Sequence, residues 1–153
     1  MDLQLGNIGN TIQLAIAPVF LLTGVGTNLA VLTSRLARII DRSRVLEDRL
    51  AADGGTPPSA AVADELHALY QRASLINRAI TLSTACGLLV CVVIASLFIG
   101  TAIQVELATF IAVCFVAGMF SLIGSFIYLL REVFIATRVL SAQRLIVMDK
   151  ASS

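Results

Sequence analysis

Three stretches without a single charged side chain set what this chain can become: Leu3 to Ser34, Ala79 to Val105 and Leu107 to Leu130. Each exceeds the roughly 20 residues that carry an α-helix, at about 1.5 Å per residue, across about 30 Å of hydrocarbon. In lipid no water satisfies a bare peptide group, so a spanning segment must close its own hydrogen bonds, and a helix does so within one stretch of chain. The stretches predict an all-α integral membrane protein with transmembrane helices over about 10–33, 79–101 and 107–130. Composition points the same way, since 58% of the 153 residues are hydrophobic, above the roughly 45–50% of a soluble domain. The triplet Ala15-Ile16-Ala17 resembles the cleavage box of a leader, but no positive charge precedes it, Pro18 follows it directly and the apolar run continues to Leu32. An uncleaved membrane helix is expected.

Orientation is read from the basic residues. Arg35, Arg38, Arg42, Arg44, Arg49, Arg72 and Arg78 lie between spans one and two, and Arg131, Arg138, Arg144 and Lys150 follow span three. The N-terminal segment and the Thr101–Glu106 turn carry none. Short loops rich in Arg and Lys stay in the cytoplasm. An inner (plasma) membrane location is therefore expected, with the N-terminus and that turn outside and the C-terminus in the cytoplasm. The turn is so short that spans two and three must be antiparallel neighbours.

The helices are expected to continue beyond the bilayer as cytoplasmic helical arms. Leu29, Leu32, Leu36, Ile39, Ser43, Leu46 and Leu50 alternate spacings of three and four, as do Val62, Leu66, Leu69, Ala73, Ile76 and Ile80. That is the heptad rhythm of a coiled-coil seam. Between them Asp53-Gly54-Gly55-Thr56-Pro57-Pro58-Ser59 holds a helix stop and a helix start. A helical hairpin over about 34–78 follows, and Leu129, Val133, Ala136, Leu140, Gln143 and Val147 predict a helical tail over about 131–150. The whole reads as one membrane domain.

Much chemistry is missing. No Asp, Glu, Lys, Arg or His sits in the middle of a span, which argues against an ion-coupled pump built from this chain alone. No nucleophile–base pair, P-loop or dinucleotide fingerprint is present, so no enzyme and no cofactor are expected. Cys86, Cys91 and Cys114 all lie in apolar runs and read as small buried hydrophobes, and His67 stands alone, so no metal site is expected. A net charge of +1 gives no pull toward nucleic acid.

What remains is a polar stripe. Residues eleven apart nearly eclipse on a helix, so Gln13, Gly24 and Arg35 share a face of span one, with Thr27 and Asn28 beside it and Asn10 leading in. Asn10, Gln13, Gly24, Thr27 and Asn28 form either a pore lining in a ring of subunits or a face for close helix packing. Arg35, Arg38 and Arg42 would continue it as an inner basic ring, and Glu106 would supply an outer acidic ring. Pro18 is expected to kink span one. In span three Ala117, Gly118, Ser121 and Ser125 form a small-residue pattern that favours tight helix contact. So many small polar groups imply a homo-oligomer in contact with membrane lipid. The functional expectation is a channel-like homo-oligomer passing ions or small solutes. The alternative is a non-conducting scaffold or regulatory subunit whose arms bind a cytoplasmic protein partner.

The stretch Ile16-Ala17-Pro18-Val19-Phe20-Leu21-Leu22-Thr23-Gly24-Val25-Gly26, with Arg35-Leu36-Ala37-Arg38-Ile39-Ile40-Asp41-Arg42 after it, resembles the bacterial membrane family catalogued as domain of unknown function 2721. The resemblance is sharpest from Ile16 to about Glu47. It implies a small three-span bacterial protein and carries over no catalytic residue.

Overall fold

The computed structural model describes the backbone of residues 2–52, 60–103 and 107–151, and the side chains of 9–52, 62–103 and 107–137. It is all-helical: α1 spans Asp2–Ala52, α2 Ala60–Ile103 and α3 Ala108–Ala151. No strand occurs among the described residues. All three helices are long and apolar enough to cross a membrane. Each runs unbroken from its uncharged stretch into its charged one, as the continuous heptads predict. α1 is assigned as one helix through Pro18, and α2 extends to Ile103, taking Thr101 out of the expected turn. Glu106 and the Asp53–Ser59 connection lie outside the described residues.

A seven-residue period organises the packing. On α1 the buried positions Thr11, Pro18, Val25, Leu32, Ile39 and Leu46 are each one heptad apart. On α2 the series is Leu69, Ile76, Ser83 and Val90, and on α3 it is Gly118, Ser125 and Glu132. A strict seven-residue repeat keeps one seam facing the neighbouring helices, which a 3.6-residue repeat would let drift.

The chain divides into two compact units. The first comprises Met1–Val31 and Ile80–Ser125. Its core is Val25, Cys86 and Val90, with Leu22, Leu29, Ile94 and Leu122 packed around them. Cys86 is buried, as expected of a small hydrophobe, whereas Cys91 faces outward and Cys114 is half-buried. Thr11 and Thr101 share a hydroxyl hydrogen bond of 2.9 Å, tying α1 to α2.

The second unit comprises Leu32–Ala79 and Phe126–Ser153. The arm seams are buried within this one chain: Leu32, Ile39, Leu46, Leu69 and Ile76 are all inaccessible or nearly so. Leu129, Val133 and Ala136 of the tail are half-buried, while the side chains of Leu140, Gln143 and Val147 lie outside the described residues. Polar bonds join α1 to α2 across this seam. Arg42 donates from Nε and Nη2 to Glu65 Oε1 at 3.1 and 2.8 Å, and Tyr70 donates its hydroxyl to Glu47 Oε1 at 2.6 Å.

The Tyr70 contact gives a titration to measure. The hydrogen bond to Glu47 first, and the Glu47 charge second, hold the phenol above its ordinary value of 10.0. A group whose folded pKa is raised contributes its stability below the unfolded pKa and loses it as pH rises through the folded one. The bond is therefore intact at neutral pH and lost only in strong alkali. In a spectrophotometric titration, one of the two tyrosines should ionise late in the wild type. In Glu47→Gln it should return toward the ordinary midpoint, and an unshifted curve would remove the contact.

Candidate functional site

Two buried polar clusters each draw one side chain from every helix. The first lies in the unit that holds the uncharged stretches. The Asn28 amide nitrogen donates to Ser83 Oγ and to Ser125 Oγ, both at 3.2 Å. Asn28 is 8% exposed and the two serines are fully buried. One turn from Ser125, the Ser121 hydroxyl donates to the Leu82 carbonyl at 2.8 Å. A buried carboxamide in a membrane segment needs partners because lipid offers none. Small serines on α2 and α3 admit it and supply them.

The second cluster lies in the other unit. Glu132, 1% exposed, accepts from Arg35 Nη1 on Oε2 at 2.9 Å. On Oε1 it accepts from Arg72 Nε and Nη2 at 3.0 and 2.8 Å. A buried carboxylate is tolerable only with such charge-assisted bonds. The two guanidiniums keep 35% and 25% of their side-chain exposure. Two cations share one anion, so the triad carries one net positive charge. Asn28–Ser125 and Arg35–Glu132 are both 97 residues apart. Arg35 is thus one heptad past Asn28, and Glu132 one heptad past Ser125.

The structure divides the stripe expected on α1. Asn28 turns into the chain's own helix packing, while Asn10, Gln13, Gly24 and Thr27 are exposed on the outer surface of the helix. Nothing lies within 4 Å of a Cβ built on Gly24 or Gly26. The Thr27 hydroxyl donates back to the Thr23 carbonyl at 3.1 Å. The three arginines expected to form one ring have three environments: Arg35 in the triad, Arg42 on Glu65, and Arg38 exposed. In span three, Gly118 and Ser125 are buried and Ser121 is half-buried, but Ala117 faces outward.

Sequence reasoning assigned Asn28 and Ser125 to separate features, and the structure brings them together. Glu132 is not among the site residues expected from the sequence. The usable signal was the interval Gly118, Ser125, Glu132, seven and seven, which carries the buried seam onto a carboxylate.

An apolar groove of about 350 Å³ between α1 and α2, lined by Ile12, Val19, Phe20, Ile94 and Phe98 among others, presents no polar group. No group of three or more His, Cys, Asp and Glu capable of holding a metal ion occurs among the described residues.

No curated protein and no solved structure matches the chain. A family model described as Protein of unknown function (DUF2721) matches residues 15–142, a range that takes in Asn28, Ser83, Ser125 and the whole Arg35–Glu132–Arg72 triad. This three-helix membrane protein belongs to that family, DUF2721.

Proposed function

We propose that the chain is a subunit of a homo-oligomer of the bacterial inner membrane, assembled through the outer face of α1, and that this face lines a path for ions or small solutes. One observation carries the reading. α3 presents Phe110, Val113, Phe120 and Ile127 outward, as suits lipid, and α1 likewise exposes Ile12, Leu14, Val19 and Phe20, but α1 adds to them the amides Asn10 and Gln13 together with Gly24 and Thr27. Amides left in hydrocarbon are costly, and glycine and threonine permit close helix approach. A second copy, or water enclosed between copies, removes that cost. Phe20 shares the stripe at 73% exposure and would form its apolar constriction, where a narrow path gates by dewetting. The arginine asymmetry supports a cytoplasmic C-terminus.

Gly24→Leu tests this reading. The added side chain meets nothing in its own chain, and leaving glycine in a helix favours the fold by up to about 1 kcal/mol. The variant should therefore melt like the wild type yet lose oligomer mass in nanodiscs and lose conductance in planar bilayers. A monomeric wild type, or one that conducts nothing under voltage, tension or pH steps, would sink the proposal. Asn28→Leu is a poorer probe, because it disturbs the monomer itself.

The alternative, a non-conducting scaffold, draws on a different observation: the arms form a compact unit of their own, whose outer faces are free to meet a cytoplasmic protein. Specific recovery of one partner by the full-length protein, with no conductance, would favour it.

A further inference from the structure

Each uncharged stretch ends, on the same side of the bilayer, at an arginine: Arg35 follows Ser34, Arg78 precedes Ala79 and Arg131 follows Leu130. All belong to one compact unit, with Arg38 one helical turn beyond Arg35. Arg38, Arg78 and Arg131 are exposed, one on each helix. They repeat one placement, each standing one residue before a buried seam position: Ile39, Ala79 and Glu132. None of the three makes an ion pair among the described residues. Arg35 and Arg72, by contrast, are held on Glu132, and that triad adds a further uncompensated positive charge.

These positions close the uncharged stretches, and a span of that extent would set them where hydrocarbon gives way to headgroups. A guanidinium is always charged and offers paired donors that match phosphate oxygens. Here Arg35 and Arg72 share the single carboxylate of Glu132, and Arg38, Arg78 and Arg131 make no ion pair among the described residues. Asp41, the nearest acidic side chain in sequence to Arg38, is exposed and unpaired with it. We infer that Arg38, Arg78 and Arg131 form a binding collar for the phosphates of anionic phospholipids in the adjoining leaflet. The triad fixes the three helices behind the collar, so that the three free arginines are presented together. Lipid phosphate fits better than a soluble anion because the collar lies at headgroup depth on three separate helices rather than around one pocket. The inference is independent of whether the protein conducts or oligomerises.

The test uses the full chain in nanodiscs of phosphatidylcholine, with or without phosphatidylglycerol, reading the melting midpoint and the lipid retained on extraction. The wild type should melt higher with phosphatidylglycerol, and the gain should shrink as salt is added. Near an anionic surface each arginine is worth about fivefold in preference, so Arg38→Gln/Arg78→Gln/Arg131→Gln should lower the preference for phosphatidylglycerol on the order of a hundredfold. In pure phosphatidylcholine this variant should melt as the wild type does, because no ion pair is removed. If it does not fold, the three single variants serve, each expected to lose part of the gain. Equal wild-type midpoints in the two bilayers would overturn the inference, as would a full gain in the triple variant or in all three singles. Inorganic phosphate, at matched ionic strength in phosphatidylcholine, should give no gain. If it reproduces the gain, the ligand is a free anion and the lipid assignment fails.

Discussion

Glu132→Ala is expected to destabilise the protein by about 3 kcal/mol, the usual cost of removing one partner from a buried ion pair. The reason is geometric. Arg35 and Arg72 approach the two oxygens of one carboxylate at 2.8 to 3.0 Å, so its removal leaves two guanidiniums facing each other with nothing between. They relax toward water, being partly exposed, which holds the cost near the lower end of the range. Glu132→Gln keeps the shape but turns an amide donor toward one arginine, and about half the loss is expected. A triple replacement, Arg35→Met with Glu132→Leu and Arg72→Met, should recover most of it, because apolar groups of similar volume often match a buried charge network in stability. The triad would then be retained for the register it imposes on three long helices rather than for stability. Thermal unfolding in nanodiscs measures all three variants. If Glu132→Ala stays within about 0.5 kcal/mol of the wild type, the range of an ordinary surface change, the carboxylate is not what joins the helices there.

The fold was legible where water supplies contrast. In the arms a seam position must be apolar and its neighbours need not be, so Ile39, Leu46, Leu69 and Ile76 mark the packed face directly. In the spans the outer faces are largely apolar too, and hydrophobicity loses its period. There only the small and polar residues record which side is packed: Thr11, Ser83, Ser125 and Gly118 lie on the arms' heptads extended. Reading the eleven-residue face of span one alone grouped Asn28 with Gln13, Gly24 and Thr27. An eleven-residue interval suits a straight helix, whereas packing in this chain follows seven, and the difference turns Asn28 inward. Arg72 and Glu132 escaped notice for a related reason. Charged residues near a membrane boundary are ordinarily solvated, and only the partners of Glu132 on two other helices reveal it as interior.

Gly118 should be the least replaceable glycine in the spans. It is buried on α3 against α2, where a built Cβ would stand 3.6 Å from Leu89 Cβ, 3.8 Å from the Cys86 carbonyl oxygen and 3.9 Å from Cys86 Sγ. One methyl makes ordinary contacts, so Gly118→Ala is expected to be close to neutral, helped by the higher helix propensity of alanine. Gly118→Leu adds three carbons beyond that methyl, against Leu89 and the Cys86 carbonyl, and the carbonyl cannot rotate away as a side chain would. Overpacking of this kind costs about 1–3 kcal/mol, and backbone on the opposing side puts the expected loss at the upper end. Gly124→Ala makes an instructive contrast. Its Cβ would come closer, 3.1 Å, but to the Cδ1 end of Leu82, a flexible side chain that can turn aside. Thermal unfolding in nanodiscs should place Gly118→Ala and Gly124→Ala close to the wild type and Gly118→Leu clearly below it. If Gly118→Leu melts with the wild type, then α2 and α3 do not meet where Gly118 and Cys86 now face each other.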